Sequence, residues 1–535
     1  MFDVVVIGGG INGTGIARDC AMRGLSTLLL EKRDLGVGAT GNSSGMIHGG
    51  LRYLLSDATV TRKSCEDSGY IQRIAPHLLF RIPLMVPVPG RGLRAWWNLE
   101  LTEAYLETYD RFVHLKNGMP HVRLSREEAR SLVPGLVADI AGAVTTDEWG
   151  IDPYRLCVAN ALSAARHGAQ VRLGAEVVGF LRGEKGAVTG VALRGGEEIA
   201  ARAVVNATGP WLMKMAKVAG VRAEIRPAKG VHVVLDRRIA PTGVVVSAID
   251  GRQIFVLPYD DTSLIGTTDD DYYGDLDDIP ILEDEVEYLL QGIEHAIPDI
   301  RSYRRLRAMA GIRPTIAKWG VNEDGLSRDH VVVDHAREGA AGLWTVLGGK
   351  LAAYRMMSEE AADAVASALG VRERCRTHEV PLPGGEAKYD VLDSARRYGW
   401  SRFAVARLVA RHGTRAELVM RLAKERPGSE RMLCECEAVS EAEVRFVVRE
   451  EWARTLGDVA RRTRLGMGPC AGSGCDRAAA EVIAEERGLD AWGAADLVRE
   501  FDAERRGGEL QFQEPTPTNS NSNSKAYDSR KGGER

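Results

Sequence analysis

The sequence lacks a strong net charge of either sign. Its 535 residues include 70 lysines and arginines against 74 aspartates and glutamates, so the formal net charge is −4. A protein that binds nucleic acid by neutralising phosphates carries a clear excess of basic residues. The charge balance therefore excludes nucleic acid as the expected partner, and the length is enough for about three to four domains.

The sequence also lacks a long hydrophobic run. No segment reaches the roughly 18 consecutive apolar residues that a membrane-spanning helix needs. Residues 1–3 lead directly into a hydrophobic stretch, without the basic flank and the small-residue cleavage site of a secretory signal. We therefore expect a cytoplasmic chain, in which the eight cysteines are thiols or metal ligands rather than disulfides.

Glycine, by contrast, is abundant, and its first cluster predicts a nucleotide-binding β-α-β unit. Residues 3–7 are a β-branched apolar run that suits a strand buried on both faces. A G-x-G-x-x-G motif follows, at Gly8, Gly10 and Gly13. Helical spacing of apolar residues then covers 14–23, and a second predicted strand over 25–30 ends at Glu31.

This arrangement of glycines and one acid has a specific chemical use. The glycines let the backbone turn and approach a pyrophosphate, which sits on the positive end of the helix. Glu31 can accept a hydrogen bond from a ribose 2′-hydroxyl, and its charge disfavours the 2′-phosphate of NADP. The unit therefore predicts dinucleotide binding and leaves NAD and FAD both open.

Two later strands that end in glycine favour FAD over NAD. Residues 170–201 are predicted to form short strands with turns, a β-meander, and the next strand runs through Ala207 to Gly209. Another strand ends in a glycine pair, Gly348 and Gly349, ahead of a predicted helix. The N-terminus of that helix would stabilise a reduced, anionic flavin.

Six segments in a fixed order carry a resemblance to a known family. They are 7–15 (IGGGINGTG), 47–53 (IHGGLRY), 205–211 (VNATGPW), 265–269 (IGTTD), 311–314 (GIRP) and 348–355 (GGKLAAYR). Together they resemble the FAD-dependent glycerol-3-phosphate dehydrogenases of the D-amino-acid-oxidase-like, glutathione-reductase-type flavoprotein superfamily, over about residues 1–380. The resemblance implies an α/β protein with a Rossmann-like FAD-binding domain and an antiparallel-sheet substrate domain.

The resemblance also implies how these two domains divide the chain. The FAD-binding parts would be about 1–80, 150–220 and 310–370. The substrate domain would be about 81–149 and 221–309, where apolar residues alternate as in an antiparallel sheet.

Basic residues beside or close to glycine or proline are the candidates for holding a phosphorylated substrate. A small phosphate monoester needs several fixed cations. Four such residues lie at predicted turns and strand ends: Arg52, Arg313, Lys350 and Arg355. The resemblance assigns these four to the substrate, together with Tyr53, Thr268 and Arg328, and it directs Thr267 toward the substrate or the flavin ring.

The same resemblance implies the reaction. It is the oxidation of sn-glycerol 3-phosphate to dihydroxyacetone phosphate by hydride transfer from C2 to N5 of FAD, with the electrons passed towards a quinone. The residues implied in catalysis are His48, His232, Lys350 and Arg313. Either histidine can act as a base near neutral pH, and the sequence does not choose between them. An amine, opine or 2-hydroxyacid dehydrogenase of the same fold is the alternative, although its site would need fewer cations.

Four of the eight cysteines form one C-terminal pattern, C-x-C-x33-C-x4-C. They are Cys434, Cys436, Cys470 and Cys475. Thiolates grouped in this way select zinc or an iron–sulfur cluster. The spacing resembles a bacterioferritin-associated-ferredoxin-type [2Fe–2S] domain, which we predict over 429–500, after a helical region and linker over 381–428. Zinc is the alternative occupant. In a further alternative, the chain is a non-catalytic subunit whose C-terminal cysteines bind zinc and form an interaction module.

Ser440 and Glu443 predict a capping box that begins a helix soon after the first cysteine pair.

The cluster-bearing plan implies partner subunits. Within the family it resembles the large subunit of the anaerobic, multi-subunit enzymes. That resemblance implies a second flavoprotein subunit together with an iron–sulfur membrane-anchor subunit, which relay electrons to a quinone. The chain would then be peripheral at the inner face of the cell membrane, through these partners. A flavin takes two electrons and a cluster passes them singly, which suits a relay.

Two segments outside these sites also carry predictions. Residues 91–114 predict an amphipathic helix that carries Trp96 and Trp97. Packing of these tryptophans in the core is favoured over the alternative, contact with a membrane surface, because neighbouring glutamates disfavour anionic lipid. Residues 514–535 are rich in Pro, Thr, Asn and Ser, which predicts a disordered tail.

Overall fold

The computed structural model describes residues 1–51, 54, 58–316 and 330–508, with side chains up to residue 505. Three predicted substrate contacts, Arg52, Tyr53 and Arg328, lie outside the described residues. The predicted tail also lies outside them.

Strands and helices alternate over the first two thirds of the chain, and helices dominate the rest. The helices are α1 (Ile11–Met22), α2 (Ala58–Ile74), α3 (Gly92–Val113), α4 (Arg126–Leu132), α5 (Pro153–Arg166), α6 (Leu212–Ala219), α7 (Glu283–Glu294), α8 (Tyr354–Leu369), α9 (Val391–Tyr398), α10 (Arg402–His412), α11 (Ala416–Glu425), α12 (Glu441–Glu450), α13 (Leu456–Thr463), α14 (Asp476–Arg487) and α15 (Ala491–Gly508). The strands are β1 (Phe2–Ile7), β2 (Thr27–Glu31), β3 (Leu79–Pro89), β4 (Val122–Leu124), β5 (Ile140–Ile151), β6 (Gln170–Leu173), β7 (Val177–Arg182), β8 (Val188–Leu193), β9 (Glu198–Asn206), β10 (Ile225–Leu235), β11 (Gly243–Ser247), β12 (Gln253–Tyr259), β13 (Thr262–Gly266), β14 (Asp270–Asp271), β15 (Arg305–Ile316), β16 (His330–Asp334), β17 (Leu343–Gly348), β18 (Met432–Cys434) and β19 (Val439–Ser440).

The first sheet contains the predicted nucleotide-binding unit. Its strands run in the order β16-β17-β9-β1-β2-β6, parallel except for β16, and the β7–β8 hairpin joins it at β9. Helices α1, α5 and α8 cover one face, and α6 with the hairpin covers the other, which is why β1 and β2 are mostly apolar. Ile7 lies beside both Leu30 and Asn206, so the carboxyl ends of three strands meet at one edge. The predicted β-α-β unit and meander are confirmed.

The second sheet has the antiparallel character predicted for the substrate domain. Its order is β14-β10-β13-β12-β11-β3-β5-β4, with β15 beside β10, and the β3–β11 pair is its parallel exception. Strands β10 and β15 pair from Ile225 opposite Ile316 to Leu235 opposite Arg305. The sheet therefore continues a few residues past the predicted boundary at 309, and it carries His232 and Arg313 on neighbouring strands.

Helices α9 to α15 and the cysteine-bearing segment share one hydrophobic core. This core extends from Ala395 to Phe501 and includes two of the four patterned cysteines. It therefore spans both the predicted helical region and the predicted cluster domain. The boundary between those two regions stays a prediction.

The predicted capping box at the start of α12 is only half formed. Ser440 Oγ accepts the backbone N–H of Glu443 at 3.1 Å, as an N-cap should. The Glu443 carboxylate instead accepts two hydrogen bonds from Arg411, each at 2.7 Å, and faces His412. The Glu443 carboxylate, which the local sequence pattern assigns to the helix cap, therefore pairs with the buried Arg411 instead.

The prediction that Trp96 and Trp97 pack in the core is wrong. Helix α3 is confirmed, but the side chains of Trp96 and Trp97 are 44% and 55% exposed. The helix packs through Ala95, Leu99 and Leu106, which leaves the tryptophans on its outer side. Within the described ranges, no helix is both long enough and apolar enough to cross a bilayer.

Candidate active site

A cleft of about 470 Å³ lies where the carboxyl edge of the first sheet faces the second sheet. Enclosed clefts of this kind are the usual binding sites for cofactors and substrates. The predicted site residues that line it are Gly8, Gly10, Glu31, His48, Ala207, Gly209, His232, Thr267, Arg313, Gly348, Gly349 and Lys350. The three glycine-terminated strands and two of the predicted cations therefore converge on one place.

The first glycine turn forms a close-packed cradle at one end of the cleft. Gly8 has a φ of +108°, and a Cβ there would lie 2.6 Å from the carbonyl oxygen of Ala207. A Cβ on Gly13 would lie 1.8 Å from the Gly8 carbonyl oxygen, so Gly13 supports the turn from behind rather than lining the cleft. Helix α1 begins at Ile11, and its first residues line the cleft. The Ile11 N–H donates to the Thr40 hydroxyl at 3.2 Å, and the positive end of this helix suits a pyrophosphate.

Glu31 is fixed beside this cradle. Its carboxylate accepts the backbone N–H of Gly9 at 2.6 Å and that of Arg33 at 2.8 Å. Burial raises the pKa of Glu31, and the two N–H groups oppose that rise. Trp211 also lines the cleft, and its buried Nε1 has no hydrogen-bond partner among the described residues. The cradle, the acid and this spare donor together fit a dinucleotide such as FAD.

The glycine pair at the end of β17 brings a lysine to the cleft. Gly348 and Gly349 have φ values of +76° and +99°, and a Cβ on Gly349 would lie 2.2 Å from Met357. Lys350 follows directly and lines the cleft with its amine buried. The sequence predicts a helix over 351–369, but one 3₁₀ turn follows this lysine and α8 begins at Tyr354.

His232 is a buried, neutral histidine. Its Nε2 lies 3.0 Å from the hydroxyl of Ser44, and a Cβ on Gly266 would lie 2.2 Å from the ring. Burial, and then the charge of Arg313, lower the pKa of His232 to about 3. Its Nδ1 has no hydrogen-bond partner within the described residues. The ring is therefore uncharged at neutral pH.

Arg313 is held at the cleft by fixed acceptors. One guanidinium nitrogen lies 2.9 Å from Asp269, and another donates to the Thr267 hydroxyl at 2.9 Å and to the Thr268 carbonyl at 3.0 Å. The Thr268 hydroxyl does not line the cleft, because it accepts the backbone N–H of Val231 at 2.9 Å. Thr268 therefore acts on the site through its carbonyl, whereas Arg313 reaches the cleft itself.

His48 reaches the cleft from a glycine turn. The backbone N–H of Gly50 donates to His48 Nδ1 at 3.0 Å. A neutral ring that accepts at Nδ1 carries its proton on Nε2. The hydrogen bond from Gly50 therefore sets the proton position on His48, which residue type alone does not give.

The comparisons with known proteins agree on one family. Residues 3–355 match the family described as FAD dependent oxidoreductase, and residues 375–493 match the C-terminal domain of alpha-glycerophosphate oxidase. The chain is 35% identical to the A1 subunit of the anaerobic glycerol-3-phosphate dehydrogenase of Haloferax volcanii, over 90% of this chain and 83% of that protein. It is 36% identical to the A subunit of the Escherichia coli enzyme of the same name, over 90% and 88%. This chain belongs to the FAD-dependent glycerol-3-phosphate dehydrogenase family.

A solved structure has the same fold as this chain. The glycerol-3-phosphate dehydrogenase from Bacillus halodurans, complexed with FAD, superposes with a TM-score of 0.77 at 24% identity and covers 96% of both chains. The match therefore includes the C-terminal helices as well as the two sheets. The predicted α/β fold with a helical C-terminal region is confirmed.

Arg355 of this chain does not line the cleft, although the sequence assigns it to the substrate. Its Nε is 2.7 Å from Asp67, and another nitrogen is 2.6 Å from Glu359. The Arg355 and Asp67 side chains are 7% and 2% exposed. The first turn of α8 directs this arginine toward α2, where it forms a buried ion pair.

Three residues that the sequence interpretation missed also line the cleft. They are Thr146, Glu148 and Arg252. Arg252 follows a glycine at the β11–β12 hairpin, so the rule that selected the other cations could have found it. Thr146 and Glu148 alternate along β5, but the sequence does not show which face of that strand meets the cleft.

The four patterned cysteines come together as two pairs. Cys434 interacts with Cys475, and Cys436 interacts with Cys470. Backbone N–H groups of Gly466 and Glu437 are directed at the Cys434 sulfur. Soft sulfur donors with N–H support fit an iron–sulfur cluster in chemistry. Among the described residues, however, no three Cys, His, Asp or Glu side chains are grouped as a metal site, so the cluster stays a prediction.

Proposed function

We propose that this chain oxidises sn-glycerol 3-phosphate to dihydroxyacetone phosphate and passes the electrons towards a quinone. The observation that carries the proposal is one cleft that joins a dinucleotide cradle to two cations, Arg313 and Lys350, and a neutral histidine. The names of the relatives at 35% and 36% identity give glycerol 3-phosphate as the compound that those enzymes oxidise.

The cations account for binding of the substrate phosphate. Arg313 and Lys350 come from different sheets and meet at the cleft, so a phosphate between them would be held from two sides. The Arg313 guanidinium is already oriented by Asp269 and Thr267, which lowers the entropy cost of binding. Glycerol lacks the phosphate and would lose both contacts.

The two histidines divide the handling of the hydroxyl proton. FAD, when bound, would supply the acceptor for the hydride, which carries both electrons. His232 can act as the proton acceptor, because its ring is neutral and lines the cleft. A phosphate on Arg313 would offset the positive charge that helps to lower the pKa of His232. His48 offers an Nε2–H donor that can orient the substrate oxygen.

Anaerobic reduction of the bound flavin tests this function. The purified protein with bound FAD is mixed with sn-glycerol 3-phosphate, and bleaching of the flavin absorbance is followed. We expect bleaching with this substrate and none with glycerol or amino acids. Bleaching by an amino acid or a 2-hydroxyacid would support the alternative activity of the same fold, and a fully loaded flavin that no phosphorylated substrate bleaches would refute the proposal.

We also propose that Cys434, Cys436, Cys470 and Cys475 bind a [2Fe–2S] cluster. Support comes from the two cysteine pairs and from the N–H groups directed at one sulfur. Iron and sulfide analysis of Cys434→Ser tests it, with the buried and distant Cys20→Ser as the matched control. We expect iron to be lost from the first variant alone while FAD is retained. Equal iron in both variants, or zinc in the wild type, would contradict the assignment.

The electron route from this cluster requires partners. The matched relatives are named as A or A1 subunits, which supports a multi-subunit enzyme. We propose a second flavoprotein subunit together with an iron–sulfur membrane-anchor subunit, with this chain peripheral at the inner face of the cell membrane. Co-expression with and without such an anchor, followed by sedimentation of membranes, tests the arrangement. Equal membrane attachment in both cases would argue against it.

A further inference from the structure

A buried ionic cluster lies directly behind the His48 turn. Lys116 Nζ is 2.7 Å from the Glu148 carboxylate, and the two side chains are 0% and 1% exposed. The Tyr109 hydroxyl donates to the other carboxylate oxygen at 2.7 Å, and Lys116 donates to that hydroxyl at 3.0 Å. Glu148 also lines the cleft. These three residues, Tyr109, Lys116 and Glu148, are called the buried triad below.

The buried triad holds the backbone that carries His48. Glu148 accepts the backbone N–H of Gly49 at 3.2 Å. A Cβ on Gly49 would lie 2.2 Å from the Tyr109 hydroxyl, so the turn packs onto the triad without space between them. The next N–H, from Gly50, donates to His48 Nδ1 at 3.0 Å. One carboxylate therefore anchors the turn whose following amide sets the proton position on the His48 ring.

Stability alone does not explain a lysine and a glutamate at this depth. Removing both charges from water costs several kcal/mol per ion, and apolar residues of similar size are often as stabilising as a buried ion pair. Tyr109 remains a proton donor, because burial and then the charge of Glu148 raise its pKa well above the usual value. The charged and polar groups of the triad are thus paired with one another and held in one orientation. They lie behind the turn that carries His48, whose ring must be held in position.

We propose that Glu148 is a positioning residue for His48, held in its orientation by Lys116 and Tyr109. Its carboxylate fixes the Gly49–Gly50 turn, and the turn keeps the Nε2–H tautomer of His48 directed to its task in the cleft. The inference rests on the proposed oxidation of sn-glycerol 3-phosphate. It adds a second layer to that site, since neither Lys116 nor Tyr109 lines the cleft.

Anaerobic stopped-flow reduction separates positioning from a merely structural role. The variants are Tyr109→Phe, Lys116→Met and the double variant Lys116→Met/Glu148→Gln, each compared at equal FAD content. Lys116→Met leaves an uncompensated carboxylate behind the turn, so we expect the limiting rate of flavin reduction to fall about 10²-fold. The substrate dissociation constant should change much less than the rate, because the cations that hold the phosphate are untouched.

The double variant provides the decisive rescue. It removes both charges together, and the amide oxygen introduced by Glu148→Gln can still accept the Gly49 N–H. We expect its limiting rate to recover at least about tenfold over that of Lys116→Met, a difference of about 1.4 kcal/mol in activation free energy. Tyr109→Phe removes one donor to the carboxylate and should slow reduction about tenfold.

Tyr354→Phe is the matched control, because Tyr354 is another fully buried tyrosine with a hydrogen-bonded hydroxyl, and it does not line the cleft. We expect its reduction rate to match the wild type. A double variant no faster than Lys116→Met, or a Tyr109→Phe rate equal to the control, would overturn the positioning role. If Lys116→Met does not fold, the comparison of the two tyrosine variants still decides. Failure of the proposed function would show differently, as a wild-type flavin that the substrate does not bleach.

Discussion

At the residue scale, Arg313 and Arg355 look alike in the sequence, since each stands close to glycine or proline in a matched motif. The structure separates them by their surroundings. The Arg313 side chain is 26% exposed at the cleft and is oriented by Asp269, whereas Arg355 is buried against Asp67 and Glu359. Arg313 therefore keeps a face toward the cleft, whereas the carboxylates of Asp67 and Glu359 occupy the Arg355 guanidinium.

Substitution by glutamine should therefore affect the two arginines in different ways. Arg313→Gln should lower kcat/KM by about 10- to 10²-fold, because a charge-assisted contact with the phosphate contributes about 1.5–3 kcal/mol. Arg355→Gln should instead lower the free energy of unfolding by about 3–5 kcal/mol, because Asp67 would be left buried without its partner. Steady-state kinetics and urea denaturation of both variants measure this. A raised KM in a fully folded Arg355→Gln enzyme would return that residue to the substrate site.

His232 predicts a loss of stability in mild acid. Its ordinary pKa of 6.5 applies in the unfolded chain, and burial with Arg313 lowers the folded value to about 3. As the pH falls from about 6.5 toward 3, the unfolded chain takes up a proton that the folded ring refuses. The free energy of unfolding therefore falls across this window.

The variant His232→Asn removes this titration. We expect its stability to decline less than that of the wild type between pH 7 and pH 5, as measured by urea denaturation at each pH. The stabilities of the two proteins at pH 8 serve as the reference, because His232 is neutral there in both the folded and the unfolded wild type. A steeper decline in the variant would contradict the folded pKa and its cause.

At the element scale, the β1–α1 turn depends on Gly13 for space. Gly13→Ala would place a methyl group 1.8 Å from the Gly8 carbonyl oxygen, so α1 must move away from the turn. We expect loss of bound FAD, measured as the ratio of flavin to protein absorbance, and a cost of about 1–3 kcal/mol in unfolding free energy.

A second glycine of the same unit is the control for that prediction. Gly24 has a φ of +82°, and no described atom lies within 4 Å of a Cβ built there. Gly24→Ala should therefore cost about 1–2 kcal/mol through backbone strain alone and retain its FAD. Equal flavin content in the two alanine variants would show that the space behind Gly8 is not needed.

The same unit shows why part of the fold could be predicted from the sequence. The glycine spacing, the apolar runs and Glu31 act within one short segment, so local physics is enough to place them. Which face of α3 is buried could not be predicted in this way. Trp96 and Trp97 are apolar, and the helix periodicity alone does not show that they lie on the exposed face. The packing of Leu99 and Leu106 against the second sheet decides it, and that contact joins residues distant in the sequence.

The residues of the candidate site likewise fall into those that local sequence motifs predict and those that depend on contacts between distant segments. Gly8, Glu31 and Lys350 could be predicted because each stands at a strand end that a turn motif marks. The role of Glu148 could not, because it depends on Lys116 and Tyr109 approaching from a separate helix and its following turn. The position of Arg355 could not either, since its partner Asp67 belongs to α2.

At the scale of the whole molecule, the C-terminal helices are tied to the loop that follows Glu31. Asp34 lies 2.8 Å from Arg461 and 2.7 Å from Arg462, both on α13, and the three side chains are at most 14% exposed. Burial raises the pKa of Asp34, but the charges of Arg462 and Arg461 outweigh it and hold the pKa below its usual value. This contribution to stability is complete above about pH 4 and is lost as the pH falls below it.

Asp34→Asn tests whether this contact joins the C-terminal domain to the cofactor site. The variant keeps the shape of the side chain but leaves Arg462 buried without its anion, which should cost about 3–5 kcal/mol in unfolding free energy, whereas Arg461 keeps its contact with Asp458 at 2.7 Å. Because Asp34 lies three residues after Glu31, we also expect weaker FAD binding, measured by flavin release during dialysis. Asp139→Asn is the matched control, since Asp139 pairs with Arg91 at the surface, its side chain is 72% exposed, and neither residue lines the cleft. An exposed pair contributes about 0–1 kcal/mol, so this control should retain both stability and flavin. If Asp34→Asn unfolds in a separate C-terminal step while FAD stays bound, the two parts of the molecule are joined in space without being coupled in energy.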